Sequence, residues 1–232
     1  MIQGLYKCFD HWHKNGTVWI YSDTHFNDSE LEIGHPRPLS TEEHIKRINS
    51  KVGKKDTLIL LGDCGDINCI RQLKGYKVLV MGNHDCGRTL YERTIKTEVF
   101  DAHYILMSQV ISNMKQQYSN WRVNVKHEGN YITATVDNAL FDEVYEGPLI
   151  IGEKIILSHE PLDVPWAFNI HGHDHQGTPR RNHLNCCSDV VGYEPINLNQ
   201  FMKTGPASKI PSIHRVTIDK ATERKKRRCN KS

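Results

Sequence analysis

Five short apolar runs punctuate the chain, and each gives way to residues that can ligate a metal ion. Residues 17–22 (TVWIYS) end at Asp23, and residues 57–61 (TLILL) end at Gly62-Asp63. Residues 77–81 (KVLVM) end at Gly82-Asn83, residues 154–158 (KIILS) end at His159, and residues 167–170 lead into His171-Gly172-His173. Continuous apolar runs of this length, rich in β-branched residues, predict strands buried on both faces. Helical spacing lies between them. Ser40-Thr41-Glu42-Glu43 reads as a capping box, in which the Ser40 hydroxyl accepts from the Glu43 amide, and Ile45, Ile48 and Val52 follow at helical intervals. Ile67, Ile70 and Leu73 repeat the pattern, with Gly75 placed to end that helix. Alternating strand and helix predicts an α/β architecture, and such sheets place their sites at the carboxyl ends of the strands.

The stretch from about 100 to 140 breaks this rhythm. A helical pattern over residues 104–117 precedes two alternating segments, 121–126 and 131–136, around the turn His127-Glu128-Gly129-Asn130. This predicts an inserted small lobe containing a hairpin, either as extra packing or as a cap over a site. The expected organisation is one domain over 1–222 carrying that insertion, followed by a basic tail over 223–232 that includes Arg224-Lys225-Lys226-Arg227-Arg228.

Composition narrows the class. A chain of 232 residues with 38% hydrophobic and 25% charged content is long enough for a sizeable core and is not compositionally disordered. No apolar run approaches the roughly 20 residues needed to cross a bilayer. Residues 1–9 lack the basic-then-apolar pattern of a signal peptide, so a cytoplasmic protein without membrane partners is expected. Seven cysteines without a C-x-x-C pair argue against a zinc ribbon and for scattered reduced thiols. A net charge of +3, much of it in the tail, makes dedicated nucleic-acid binding the minority reading. The 14 histidines are many for this length, and several fall at the strand ends. His11 and His13, flanking Trp12, lie outside that set and read as surface or packing residues, as do His35, His44, His103, His127 and His214.

The strand-end residues form a chemically coherent set. Carboxylate oxygen and imidazole nitrogen suit zinc, manganese, iron and similar divalent ions. Asp23 and His25 alternate, as do His173 and His175; Asp63 offers two oxygens with which to bridge two ions, and Asn83 offers a neutral amide oxygen. Two divalent ions roughly 3.5–4 Å apart lower the pKa of a shared water from about 15.7 towards about 7, giving a hydroxide nucleophile at neutral pH. His84, directly after Asn83, suits a cation or general acid near the leaving oxygen, with Asp85 to orient it. Arg37, Arg180, Arg181 and His183 are candidate phosphate contacts, and Trp166 or Phe168 is a candidate platform for a base.

These residues resemble the spaced signature of the calcineurin-like metallophosphoesterases. The likeness rests on Asp23-x-His25, Gly62-Asp63-x-x-Asp66, Gly82-Asn83-His84-Asp85, a single His159 after a strand, and Gly172-His173-x-His175. Ser22-Asp23-Thr24-His25-Phe26, Arg37-Pro38 and Ser158-His159-Glu160-Pro161 are similar to small bacterial and phage-borne members. The resemblance covers about 17–200 without the insertion. It implies an α-β-β-α fold, a two-sheet sandwich flanked by helices. It further implies one metal held by Asp23, His25, Asp63 and His175, and a second held by Asp63, Asn83, His159 and His173. On this reading Asp63 bridges, Asp66 supports its loop, His84 serves the leaving group and Asp85 positions His84. The implied cofactors are two divalent ions drawn from manganese, iron, zinc or nickel. The implied activity is hydrolysis of a phosphomonoester or phosphodiester, with nucleotides and nucleic acids among the candidate substrates. A nuclease, a cyclic-nucleotide phosphodiesterase and a non-catalytic metal-bound scaffold are the alternatives. Asn27-Asp28 departs from the Gly-His that small members carry after the motif's Phe.

Overall fold

The computed structural model describes residues 6–7, 12, 16–29, 36–85, 94–100, 109, 112–113, 116, 122–128, 131–137, 140–151 and 154–210. For 6–7, 94–100, 122–128, 131–137 and 208 it describes the backbone alone. The chain is mixed α/β; the described residues form two five-stranded sheets, a separate three-stranded sheet and a few helices.

The first large sheet contains β2 (Val18–Tyr21), β3 (Thr57–Leu60), β4 (Tyr76–Val80), β8 (Glu143–Tyr145) and β13 (Ile196–Asn197), in the order β13-β2-β3-β4-β8. Strands β2, β3, β4 and β8 run parallel, in the register Ile20↔Ile59 and Ile59↔Val78. Every residue of β3 is buried, as its unbroken apolar run predicts. The second large sheet contains β1 (Tyr6–Lys7), β9 (Leu149–Ile151), β10 (Ile155–Leu157), β11 (Phe168–His171) and β12 (His183–Asn185), in that order. Here β10, β11 and β12 are parallel and β9 antiparallel to β10.

Alternation along the strands divides the apolar side chains between two clusters. Val18, Ile20, Ile59, Val78 and Val80 of the first sheet share one cluster with Ile151, Ile155, Leu157, Phe168 and Ile170 of the second. The opposite set, Tyr21, Leu58, Leu60 and Leu79, packs against Ile45, Ile48 and Ile70 of two helices. These are α1 (Thr41–Lys51) and α2 (Ile67–Gln72). Ser40 caps α1 by accepting the Glu43 amide, as the capping box predicts. Asp66 caps α2 by accepting the Asn68 amide, which gives it the expected loop-supporting role. A third helix, α3 (Leu198–Thr204), begins at the Asn197 cap and packs Phe201 and Met202 onto the first cluster.

The expected hairpin is present, with β6 (Arg122–Glu128) antiparallel to β7 (Tyr131–Asp137). A strand absent from the sequence reading, β5 (Thr94–Phe100), pairs on the other side of β7, so this sheet starts before residue 100. Of the helix expected over 104–117, only Gln109, Ser112, Asn113 and Gln116 are described; each is helical and exposed. The basic tail, with His11, His13, His35, His103 and His214, lies outside the described residues. Among the described residues, no helix is long and apolar enough to cross a membrane.

Candidate metal centre

The loops after β2, β3, β4, β10 and β11 meet at one edge. Gly62 O accepts from the Asp23 amide and Asp63 O from the His25 amide, which ties the first two loops together. The loop after β11 joins them where the His173 amide donates to Asp23 Oδ2 at 2.9 Å. Close approach explains two glycines. A Cβ on Gly62 would lie 2.5 Å from Gly82 N and 2.7 Å from His159 Nδ1, and one on Gly172 would overlap Ser22 Oγ and Asp23 Oδ2. Asp23, His25, Asp63 and His173 all hold positive φ (56°, 38°, 52° and 64°). Such backbone is uncommon outside glycine, and four instances among the ligand residues concentrate local strain at this edge.

The donors form two groups around Asp63. Asp23, His25 and His175 offer mutually close ligand atoms, and so do Asp63, His159 and His173. Asp63 Oδ2 lies 3.5 Å from His25 Nε2 and 3.3 Å from His159 Nε2, between the groups. His159 Nε2 also faces Asn83 Oδ1 at 2.8 Å and His173 Nδ1 at 3.1 Å. In the other group, Asp23 Oδ1 is 3.9 Å from His25 Nε2 and 3.7 Å from His175 Nε2. The seven expected ligands are therefore together.

Each carboxylate uses one oxygen structurally and presents the other. Asp63 Oδ1 accepts from the His84 amide at 2.9 Å and Asp23 Oδ2 from the His173 amide, which leaves Oδ2 and Oδ1 respectively facing the imidazoles. The histidines are oriented in the same way. His159 Nδ1–H donates to the Leu61 carbonyl at 2.7 Å, His25 Nδ1–H to Asp28 at 3.0 Å and His175 Nδ1–H to Asp189 at 2.6 Å. In all three Nδ1 is engaged outward and Nε2 is turned inward, the nitrogen a metal ligand would use. Asp23 Oδ1 and His25 Nε2 are buried without a hydrogen-bond partner. Orphaned buried acceptors are costly, and these two fit a cation. The buried Asp and His groups are thus positioned to hold metal.

Burial and neighbouring charge pull the histidines in different directions, His25 down and His159 and His175 up. Burial lowers the His25 pKa, overcoming the neighbouring carboxylates and favouring the neutral imidazole that coordinates metal. Burial opposes protonation of His159 too, but its hydrogen bond to Asp63 and the charges of Asp23 and Asp63 push it up to about 9. Asp63 moves down despite burial, through the same His159 contact and the His84 amide. His159 and Asp63 thus favour each other's charged forms.

The burial pattern gives the centre an inside and an outside. Asp23, His25, Asp63 and His159 are buried, whereas Asn83, His84 and His173 are exposed. The His84 ring packs edge-on to His25, with centroids 5.2 Å apart. Asp85 does not orient that ring. It is fully buried, and its oxygens accept from the amides of Asp63 (2.8 Å), Gly82 (2.9 Å) and Cys64 (3.3 Å), clasping the β3 and β4 loops.

The expected phosphate contacts do not gather here. The Arg37 guanidinium is committed beneath the centre, donating to the carbonyls of Thr24 and Asp23 and to Ser188 Oγ, and lying 3.5 Å from Asp189. Arg180 and Arg181 enter β12 at its amino end, where the Asn169 amide meets the Asn182 carbonyl. In parallel strands that end is opposite the ligand loops, roughly 10 Å away at about 3.3 Å per residue. Arg180 and His183 pair there with Asp163, at 3.5 and 3.0 Å. Phe168 is a core residue, and Trp166 is exposed on the loop that enters β11 at this same amino end.

Two further carboxylates stand behind the histidines: Asp28, noted in the sequence only as part of a departure, and Asp189, which the sequence reading did not name. Asp28 lies three residues after His25 and accepts from its Nδ1–H, a spacing that was the available signal. Asp189 lies in the turn after β12, which docks on the first sheet through the Ser22↔Cys187 bridge and the Ser188 amide to Ser22 carbonyl bond.

No family model matches the chain. The chain is 22% identical over 206 residues to the uncharacterized protein MJ1445 of Methanocaldococcus jannaschii, covering 83% of this chain and 93% of that protein. A solved structure, the protein of unknown function AQ665 from Aquifex aeolicus, aligns with a TM-score of 0.49 at 20% identity, covering 81% of this chain and 98% of that one.

Proposed function

We propose that the chain is a dinuclear metal-dependent phosphoesterase built on the α-β-β-α sandwich of the calcineurin-like metallophosphoesterases. One observation carries this reading. Seven donors from five strand-end loops converge as two groups that share Asp63 Oδ2, with His84 at the exposed rim. When bound, a pair of divalent cations supplies Lewis acidity to a phosphoryl group and lowers the pKa of a water.

The chain's own groups do the rest. Asp23 and Asp63 present one oxygen each because backbone amides hold the other, so neither has to reorganise. Asn83 and His173 line the open side by which an ester approaches. His84, on the same rim, stabilises charge on a phosphoryl oxygen or donates a proton to the leaving oxygen. Arg37 holds the Asp23 and Thr24 carbonyls and so fixes the first loop from below. Substrate phosphate meets the rim residues; Arg37 and Arg180 are engaged elsewhere, and Arg181 lies exposed at the opposite strand end.

The test is a screen of purified protein, reloaded with manganese, against phosphomonoesters, phosphodiesters and cyclic nucleotides, beside Asp63→Ala. Turnover by the wild type on at least one class, with both turnover and bound metal lost in the variant, is expected. Unaltered metal content and turnover in Asp63→Ala would sink the proposal.

A further inference from the structure

The two halves of the centre are built differently behind the ligands. In the half formed by Asp23, His25 and His175, both imidazoles donate Nδ1–H to a carboxylate: Asp28 at 3.0 Å and Asp189 at 2.6 Å. Asp189 is itself held, since Tyr193 Oη donates to its Oδ1 at 2.5 Å and Arg37 lies 3.5 Å from its Oδ2. In the half formed by Asp63, Asn83, His159 and His173, the described partner of His159 Nδ1 is a neutral carbonyl, Leu61 O. Among the described residues, no carboxylate is paired with the outer nitrogen of His173. Exposure differs in part: the first half has Asp23 (0%) and His25 (3%) buried and His175 half-buried, while the second half joins the buried Asp63 and His159 to the exposed Asn83 and His173.

Three effects therefore point one way. A carboxylate behind an imidazole fixes its tautomer and strengthens it as a donor, and loss of such a partner typically costs about 10–100-fold in metal affinity. Asp23, Asp28 and Asp189 place negative charge near the first half, with the Arg37 guanidinium beside Asp189. The exposed donors Asn83 and His173 both belong to the second half, which gives that half the more open route to solvent.

We propose that Asp28 and Asp189 are positioning residues that make the centre unequal. The cation on Asp23, His25 and His175 is resident, and the cation on Asn83, His159 and His173 is exchangeable, arriving and leaving through the exposed rim. This rests on the dinuclear reading given above and adds to it which half is filled first.

The experiment is calorimetric titration of chelator-stripped full chain with manganese, and metal counting after dialysis against metal-free buffer. The wild type should show two binding events at least tenfold apart and should retain about one ion per chain. Asp28→Asn and Asp189→Asn should each weaken the tighter event about tenfold or more and shift the weaker one less than threefold. Asn83→Ala should do the reverse. That crossed pattern separates positioning from a general loss of structure, which would weaken both events together. Two events of equal affinity, or a tight event indifferent to both carboxylates, would overturn the inequality and leave the dinuclear reading standing. No cation binding, or a single event insensitive to all three substitutions, would overturn both.

Discussion

His44 makes a quantitative test of how the fold buries ionisable groups beside the candidate centre. Its ring lies under Tyr21, Phe26 and Tyr193 and is 3% exposed. Burial pushes the Tyr21 hydroxyl pKa up, so that hydroxyl stays protonated and donates to His44 Nε2 at 2.6 Å, which requires the neutral imidazole. Burial, reinforced by Arg37, lowers the His44 pKa to about 3. The unfolded chain, with a pKa near 6.5, therefore takes up a proton that the folded chain refuses. Stability is lost as pH falls from about 6.5 towards about 3, at about 1.4 kcal/mol per unit. Between pH 7 and pH 5 this one group costs about 2 kcal/mol. His44→Gln keeps an oxygen for Tyr21 and removes the titration. Urea unfolding of wild type and variant with chelator present, at pH 7 and pH 5, isolates His44 as the difference between two differences, because other histidines titrate equally in both. A wild-type loss about 2 kcal/mol larger than the variant's is expected. Identical losses would show that the imidazole protonates in place, which would refute the burial argument.

Other substitutions probe the loops. Asp85→Ala strips the acceptor from three buried amides and should lower unfolding free energy by about 3–5 kcal/mol, short of the full sum because water enters; denaturant midpoints within error of wild type would deny the clasp. Gly172→Ala drives a methyl into Ser22 and Asp23 and should cost about 1–3 kcal/mol together with the cation on Asp23, read by metal counting. His84→Ala should keep its metals and lose turnover roughly a hundredfold, and wild-type rates would reassign His84 to structure.

The candidate ligands were legible because they stand in the loops that follow apolar strands, where one dimension already encodes position. Helix starts were legible for the same reason, since Ser40 caps over three residues. What the sequence hid is set by chain reversal. Arg180 follows His175 by only five residues, yet the chain crosses the sheet before β12 begins and leaves it at the far edge. Asp189 is fourteen residues from His175 and meets it only because the turn after β12 docks on β2. Asp85 looked like a partner for His84 by adjacency, but the turn at Gly82 points its carboxylate back at three amides. Arg37 beside Pro38 resembled a phosphate contact, and its guanidinium instead serves two backbone carbonyls. Strand β5, T-I-K-T-E-V-F, does alternate, and it was overlooked because its partner β7 lies more than thirty residues on.

The central claim is that Asp63 joins two cations, and electron paramagnetic resonance of the chain saturated with manganese addresses it directly. An exchange-coupled pair, with hyperfine lines at about half the spacing of an isolated ion and absent from Asp63→Ala, is the result this account requires. A spectrum of isolated ions at every loading would contradict it.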